Sequence, residues 1–191
     1  MRPDRREATE LRGMSSAQGL LSRTDGSARF TLGDTCVICG VYGPMDVKQR
    51  NERMDRSTVE VSFQPVSGDT SPADRLVEHS LRRVAEATIV TSLHPRTLIR
   101  IVVQVMCDDG DVVCCAINAM VMALVDAGVP MRHLVAAVGC LIDREGQLLL
   151  DPLSLEANGY QSIHSMAFAP DSLLLLSQSV GVFQQDEVKV I

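Results

Sequence analysis

The chain has 191 residues, of which 46% are hydrophobic and 22% charged, and its formal net charge is −6. This length and apolar content suffice for the core of one domain, and the acidic balance argues against wholesale electrostatic wrapping of nucleic acid, although it leaves room for a local basic patch. No apolar run is long enough to span a bilayer and the first residues lack the apolar segment of a secretory signal, so we expect an intracellular protein.

The six cysteines lie almost entirely in apolar runs, a placement typical of reduced, buried thiols in the cytosol or nucleus. Cys36 and Cys39 have the spacing of a metal or redox motif, but residues three apart in a strand point to opposite faces. We therefore interpret them, and the adjacent Cys114 and Cys115, as core residues. The absence of Trp, with only two Tyr and four Phe, argues against an aromatic platform for single-stranded nucleic acid.

The chain begins with a polar, charged segment, residues 1–16, which we expect to be a flexible or partner-held arm ahead of a domain spanning residues 17–191. Closely spaced turn signals then predict an antiparallel meander. Its three strands are predicted at residues 19–23, 27–32 and 35–42.

A polar loop at residues 45–57 precedes an alternating strand at residues 58–65. Ser71-Pro72 and the early acid Asp74 predict the start of a first helix, because proline is pre-set for the first helical position and early acids favour the helix dipole. Apolar residues at helical spacing extend this helix over residues 73–92, and His94-Pro95 closes it.

A β-branched run at residues 98–106 predicts a central strand. The next helix, residues 112–127, is apolar nearly all round and should lie inside the protein. Its stripe of small residues permits close approach to a sheet, and Gly128 and Pro130 end it. Four more strands are predicted at residues 134–142, 147–150, 163–168 and 172–177. The order of elements indicates an α+β layered domain.

The entrance to the second helix has the layout in which many folds cradle a phosphate, yet residues 110–116 offer no basic or hydroxyl side chain. Asp108, Asp109 and Asp111 cluster there and could hold a divalent metal ion, although turn and helix-capping roles explain them about as well. Asp151 follows a predicted strand and could act as a general acid or bind Mg²⁺, or could be an acidic turn residue before Pro152.

The four histidines are scattered and none has a nucleophile and an orienting acid at hand, so we interpret them as partly exposed packing or cap residues. They are His79, His94, His133 and His164.

The loop at residues 45–57 carries four basic side chains that could contact RNA phosphates, namely Lys48, Arg50, Arg53 and Arg56. Three acids interleave with them, at Asp46, Glu52 and Asp55, which is also the pattern of a merely solvated loop.

Four segments in order resemble the RNase PH superfamily, and within it the ring subunits of the eukaryotic RNA exosome. They are Gly26-Ser-Ala-Arg-Phe, Gly33-Asp-Thr-Cys-Val-Ile-Cys-Gly-Val-Tyr-Gly-Pro44, Leu93-His-Pro-Arg-Thr97, and the helix running from Asn118-Ala to Ala-Gly-Val-Pro130. The resemblance covers about residues 17–183. It implies an α+β fold of the RNase PH-like (ribosomal protein S5 domain 2-like) kind.

The resemblance also implies a six-member ring that threads RNA through its centre. The expected partners are paralogous ring subunits, S1/KH-type cap subunits and RNA, with a homodimer possible in isolation. No cofactor is expected, and the location is the nucleus and nucleolus, also the cytoplasm. The loop from Lys48 to Arg56 resembles the channel-facing loop of the family.

Active members of the superfamily are phosphorolytic exoribonucleases, and their site residues can be placed by resemblance. His79 falls where a basic side chain is needed on the first helix. Val113 and Cys114 stand in place of the arginine and hydroxyl that hold phosphate. Active members also use a pair of acidic residues. Asp151 falls at the first of these two positions, whereas Ala157 stands about where the second acid would fall, with Glu156 as a partial substitute.

Without bidentate guanidinium pairing both the affinity for phosphate and its orientation would be lost. We therefore expect no catalytic residues, with Asp151 as the residual candidate, no metal site, and a structural subunit that supports 3′-to-5′ RNA processing. The alternatives are a metal-assisted hydrolytic nuclease acting as a homodimer through Asp109, Asp111 or Asp151, and a ring subunit without RNA contact. We expect the C-terminal helix common in the family to be absent after the last strand, since residues 184–191 would only begin it.

Overall fold

The computed structural model describes residues 2–170 and 173–183. Within these residues, nine strands form two sheets, and two α-helices pack with them. The strands and helices are β1 Met14–Gln18, β2 Gly26–Leu32, β3 Thr35–Asp46, β4 Thr58–Gln64, α1 Pro72–Thr88, β5 Thr97–Cys107, α2 Val112–Asp126, β6 Ala136–Asp143, β7 Leu148–Leu150, β8 Tyr160–Ala169 and β9 Leu173–Gly181. Neither helix has the length and apolar content needed to cross a bilayer within this described part of the chain.

The first sheet has the strand order β1-β2-β3-β5-β4. Its pairs are antiparallel except for β4 and β5, which run parallel because α1 connects them as a crossover. The predicted meander is confirmed for β2 and β3, but the strand predicted at residues 19–23 is wrong. Leu20 and Leu21 are 46% and 41% exposed in a loop, and the edge strand is Met14–Gln18 instead.

Helix α1 begins where the sequence predicts, with a reciprocal capping box. The Ser71 hydroxyl accepts from the Asp74 backbone N–H at 3.2 Å, and the Asp74 carboxylate accepts from the Ser71 backbone N–H at 2.7 Å. The helix ends at Thr88 rather than at residue 92, since Ile89 is extended and pairs with Met131 in an isolated bridge. Leu76, assigned to the apolar face, is 56% exposed, so the helix packs from Val77 onward.

Helix α2 lies between the two sheets, touching β2 and β3 on one side and β6 and β8 on the other. This position explains why the helix is apolar nearly all round. A Cβ atom at Gly26 would collide with the backbone of Ala127, so the small-residue stripe does permit a close approach. Gly128, at φ +65°, ends the helix, and its N–H donates to the Val125 carbonyl at 3.1 Å.

The second sheet has the order β7-β6-β8-β9, all antiparallel, and its four strands are those predicted with shifted ends.

The predicted arm also contributes to the domain. It contains the first residues of β1, its Ala8 carbonyl accepts from the Leu150 N–H at 2.8 Å, and its Arg2 and Arg12 side chains are buried. Whether residues 1–16 move in solution stays a prediction. The expected loss of a C-terminal helix concerns residues 184–191, which lie outside the described residues.

Candidate functional site

The N-terminal mouth of α2 is shaped by Asp111. This residue occupies the N-cap position in a left-handed conformation, φ +54°, and its carboxylate does not cap the helix. Instead Oδ2 accepts from the Gly139 backbone N–H at 3.0 Å, which ties the mouth to β6. Burial raises the Asp111 pKa to about 6, and the nearby Asp151 charge adds to this, against opposing hydrogen bonds from Cys114 and Gly139.

The side chains that follow Asp111 are apolar or fully buried. Val113 is half-buried and lines an apolar groove together with Phe63, Val77 and Val105. Cys114 has no exposed surface, and burial raises the pKa of its thiol well above the usual range. Thus Val113 and Cys114, which the resemblance places at the positions of a phosphate-holding arginine and hydroxyl, present no cation and no exposed donor.

Asp151 is completely buried and is held by Arg12. The Arg12 Nη2 atom lies 2.6 Å from Oδ1, while Nε and the backbone N–H of Arg12 each donate to Oδ2 at 2.8 Å. Arg6 Nη1 approaches the same Oδ2 at 3.2 Å. Burial by itself would raise the Asp151 pKa, but the hydrogen bonds and charge of Arg12 and the charge of Arg6 outweigh it, so the pKa is lowered. The carboxylate is therefore ionised, and the charges of Arg12 and Arg6 already balance its negative charge.

Glu156, considered as a partial substitute for the missing second acid, is also engaged. Its Oε1 accepts from Arg2 Nε at 2.9 Å, and its Oε2 accepts from Arg2 Nη2 at 3.0 Å and from the Leu153 N–H at 2.9 Å. Ala157 follows it in a short 3-10 turn and offers no carboxylate. A buried bidentate pair with Arg2 thus engages both oxygens of Glu156, and its role in place of the second acid stays a prediction.

The remaining acids of the mouth serve the turn. The Asp108 carboxylate accepts from the Gly110 N–H at 3.0 Å, and the Asp109 carboxylate accepts from the Ser154 hydroxyl at 3.0 Å. Asp109 also lies 3.5 Å from Arg12 Nη1. Across residues 2–170 and 173–183, no group of three His, Cys, Asp or Glu side chains is arranged to hold a metal ion.

Three arginines of this site were not singled out from the sequence: Arg2, Arg6 and Arg12. The available signal was the concentration of four arginines in the first twelve residues of an acidic chain. That signal was interpreted as an arm exposed to solvent or to a partner. It could equally have indicated cations reserved for buried carboxylates, since a buried charge requires a partner.

The histidines are in different surroundings and do not converge on the mouth of α2. His79 is exposed on α1 and lines a cleft with Glu60, Arg75 and Arg82. His164, expected to be partly exposed, is completely buried between the hydroxyls of Ser162 and Ser179, at 2.9 and 2.8 Å. The interpretation as a partly exposed residue is wrong for His164.

The basic loop between β3 and β4 presents its cations at the surface. Lys48, Arg50 and Arg56 are exposed and Arg53 is half-buried. Arg56 pairs with Asp55 at 3.2 Å, whereas Glu52 pairs with Arg96 at 3.5 Å. Among the described residues, no carboxylate lies within ion-pair distance of Lys48, Arg50 or Arg53. The interleaved acids therefore leave most of the loop's positive charge available, and RNA binding by the loop stays a prediction.

The chain is similar to a group of known proteins over almost its whole length. Residues 10–130 match the 3′ exoribonuclease family, domain 1. The "Exosome complex exonuclease RRP46 homolog" of Arabidopsis thaliana is 35% identical over 188 residues, which are 98% of this chain and 79% of the relative. The "Exosome complex component rrp46" of Schizosaccharomyces pombe is 34% identical over 180 residues, with 91% and 79% covered.

The fold is similar to that of solved structures. The crystal structure of rice (Oryza sativa) Rrp46 superposes with a TM-score of 0.93 and 32% identity, covering 99% of this chain and 90% of the rice chain. The match to an Archaeoglobus fulgidus exosome chain has a TM-score of 0.86 at 19% identity and supports the fold alone. The α+β prediction and the resemblance are both confirmed, and the chain belongs to the RNase PH family of 3′ exoribonucleases.

Proposed function

We propose that this chain is a ring subunit of an RNA exosome that supports 3′-to-5′ RNA processing and degradation without catalysing phosphorolysis itself. Membership of the family, with exosome components among its similar relatives, supports the assembly. The pairing of Asp151 with Arg12 is the observation that supports the absence of catalysis.

The chemistry of phosphorolysis explains why this pairing matters. An attacking phosphate must be held by cations or strong donors, and a metal ion needs carboxylate oxygens that are free to coordinate it. Here Val113 and Cys114 offer the phosphate neither, and Arg12 takes both oxygens of Asp151. A metal ion would have to displace a buried guanidinium, which would then lack a counter-charge.

The role left to the chain is to complete the ring and to line part of the RNA path. Its partners would be paralogous RNase PH-like subunits and RNA, with S1/KH-type cap subunits above the ring and a homodimer as the isolated form. Its subcellular location would be the nucleus and nucleolus, and also the cytoplasm. Lys48, Arg50 and Arg53 form no ion pair with the carboxylates that the structure describes, which supports contact with RNA phosphates. Such contact would be sequence-tolerant and salt-sensitive.

Affinity purification of the chain, tagged at its own locus and expressed at its natural level, tests the assembly. We expect RNase PH-like paralogues to copurify in comparable amounts. Recovery of the chain alone, or only as a homodimer, would overturn the ring assignment.

A nuclease assay tests the absence of catalysis. The purified chain is incubated with 3′-tailed RNA, with or without inorganic phosphate and with Mg²⁺ or a chelator. We expect neither nucleoside diphosphates nor monophosphates to be released. Release that depends on Mg²⁺ and disappears in Asp151→Asn would instead support the metal-assisted nuclease. Release that persists in this variant would come from a contaminant or from a different site in the chain.

A further inference from the structure

Cys36 and Cys107 are direct partners across two antiparallel strands. Cys36 lies near the start of β3 and Cys107 at the end of β5, and the strand register places them opposite each other. Directly opposite residues of an antiparallel pair have Cα atoms about 4.5–5.5 Å apart. A disulfide bond needs a Cα separation of about 4.4–6.8 Å, a range that includes this usual spacing of opposite residues.

A β-bulge directs both thiols to the sheet face that the helices leave open. The neighbouring pair of opposite residues, Val37 and Val105, is buried on the face that the helices cover, at 0% and 3% exposure. The register shifts between this pair and the next, so that Met106 is an extra residue on β5. Without it, alternation would turn Cys107 into the core beside Val105. With it, Cys107 is exposed and Cys36 half-buried, so the interpretation of Cys36 as a core residue is wrong.

The other four thiols are shielded from oxidants. Cys39, Cys114, Cys115 and Cys140 are all buried. Burial, the largest cause each time, raises the pKa of Cys39, Cys115 and Cys140 to about 12. Because the thiolate is the reacting species in disulfide exchange, these thiols are slow partners. Burial also raises the pKa of Cys36, which differs from them in its partial exposure and in its place opposite Cys107. Cys107 is thus the thiol that a dissolved oxidant meets first.

We infer that Cys36 and Cys107 form a dithiol site that a low-molecular-weight disulfide, such as oxidised glutathione, converts to a cross-strand disulfide. The Cys107 thiolate attacks one sulfur of oxidised glutathione and releases one glutathione thiolate. The Cys36 thiolate then attacks the Cys107 sulfur and releases the second. The two protein thiols are oxidised, one small disulfide is reduced to two thiols, and the two protons go to the released glutathione.

The position of the site connects it to the mouth of α2. The Thr35 hydroxyl, next to Cys36, donates to the Gly110 carbonyl at 2.8 Å and accepts from the Asp109 N–H at 3.2 Å. Asp108 directly follows Cys107. A bond between the two cysteines would therefore tie the start of this turn, at Cys107, to the strand whose Thr35 already holds Asp109 and Gly110. It would also close a long loop of the unfolded chain, which makes the oxidised form more resistant to denaturant.

The test is to treat the full chain with oxidised glutathione under native conditions, then to block free thiols and map peptides by mass spectrometry. We expect a mass loss of about 2 Da before blocking, a peptide pair linked through Cys36 and Cys107, and a higher urea midpoint than in the reduced chain. Added dithiothreitol should reverse all three.

Single substitutions separate the role of Cys107, which attacks oxidised glutathione, from that of Cys36, which resolves the mixed disulfide. Cys36→Ser should retain one glutathione on Cys107, because the resolving thiol is gone, whereas Cys107→Ser should form no bridge. Six free thiols in the treated wild type would overturn the inference. So would stable glutathione on wild-type Cys107, or a bridge formed by any other pair. The wild-type measurements decide the matter even if a variant folds poorly.

Discussion

Arg12 and Asp151 are 139 positions apart in the chain and form a buried two-point ion pair, with contacts of 2.6 and 2.8 Å. The backbone N–H of Arg12 adds a third contact to the same carboxylate at 2.8 Å. This arrangement joins the N-terminal segment to the turn that follows β7. The acid that resembles a catalytic residue of the family is thereby held in an ion pair that connects two distant segments of the fold.

Replacing Arg12 with Ala should lower the free energy of unfolding by about 3–5 kcal/mol, because it leaves the Asp151 carboxylate buried with only the more distant Arg6. Urea denaturation measures this loss. The exposed Arg23→Ala is the matched control, expected to change stability by less than about 0.5 kcal/mol. Equal effects of the two substitutions would contradict a structural role for Arg12.

The Arg12→Ala deficit should also depend on pH. The folded-state pKa of Asp151 is lowered from 3.8, so its pairing stabilises the fold above that value and is lost as pH falls through the lower folded-state pKa. The difference between wild type and variant should therefore narrow in acid. A gap that widens in acid would show that the carboxylate is not the group affected.

Asp111→Asn should raise stability at neutral pH. The folded-state pKa of Asp111 is raised from 3.8 to about 6, mainly by burial. Its neutral form fits the fold, so the favourable contribution is complete below about pH 4 and is lost as pH rises through about 6. Asparagine keeps an acceptor for the Gly139 N–H, tolerates the left-handed backbone and cannot ionise. We expect a gain of about 1–3 kcal/mol at pH 7.5.

Urea midpoints of wild type and Asp111→Asn at pH 4 and pH 7.5 test this prediction. The difference should be confined to the higher pH. If the variant were less stable at both values, the ionised carboxylate would be stabilising and the assignment of Asp111 as an unfavourable buried charge would be wrong.

Gly26→Ala should destabilise the domain by about 1–3 kcal/mol through overpacking, because the added Cβ would collide with the backbone of Ala127 at the end of α2. Thermal unfolding measures the effect. Gly13→Ala is the control, since a Cβ there has no heavy atom within 4 Å. Unchanged stability of Gly26→Ala would mean that the end of α2 can move away from β2.

Replacing Lys48, Arg50, Arg53 and Arg56 with Ala should weaken RNA retention by the assembled ring and reduce its dependence on salt. Each phosphate contact removed should lower the slope of log K against log salt by about 0.7 for single-stranded RNA. Filter binding over a salt series measures both quantities. A ring with four exposed arginines replaced elsewhere, at Arg23, Arg83, Arg132 and Arg144, is the charge-matched control. Equal retention by the two would favour a subunit without RNA contact.

Local patterns predicted most of the elements of this fold. The start signal Ser71-Pro72, the β-branched run of β5 and the all-round apolar character of α2 each predicted an element that the structure confirms. Strand β1 escaped prediction because its side chains are mostly exposed, so it has no apolar alternation and is held by backbone pairing with β2. Leu20 and Leu21 suggested a strand that tertiary packing did not provide.

The sequence by itself determined the α+β class, the family resemblance and the apolar character of the mouth of α2 at Val113 and Cys114, because these depend on composition and local order. Only the tertiary structure decided what Asp151 and Glu156 do. Their charges are buried, and a buried carboxylate must find a cation wherever the fold brings one close. Arg12 and Arg2 meet that need from the other end of the chain, and no local pattern encodes such a distance.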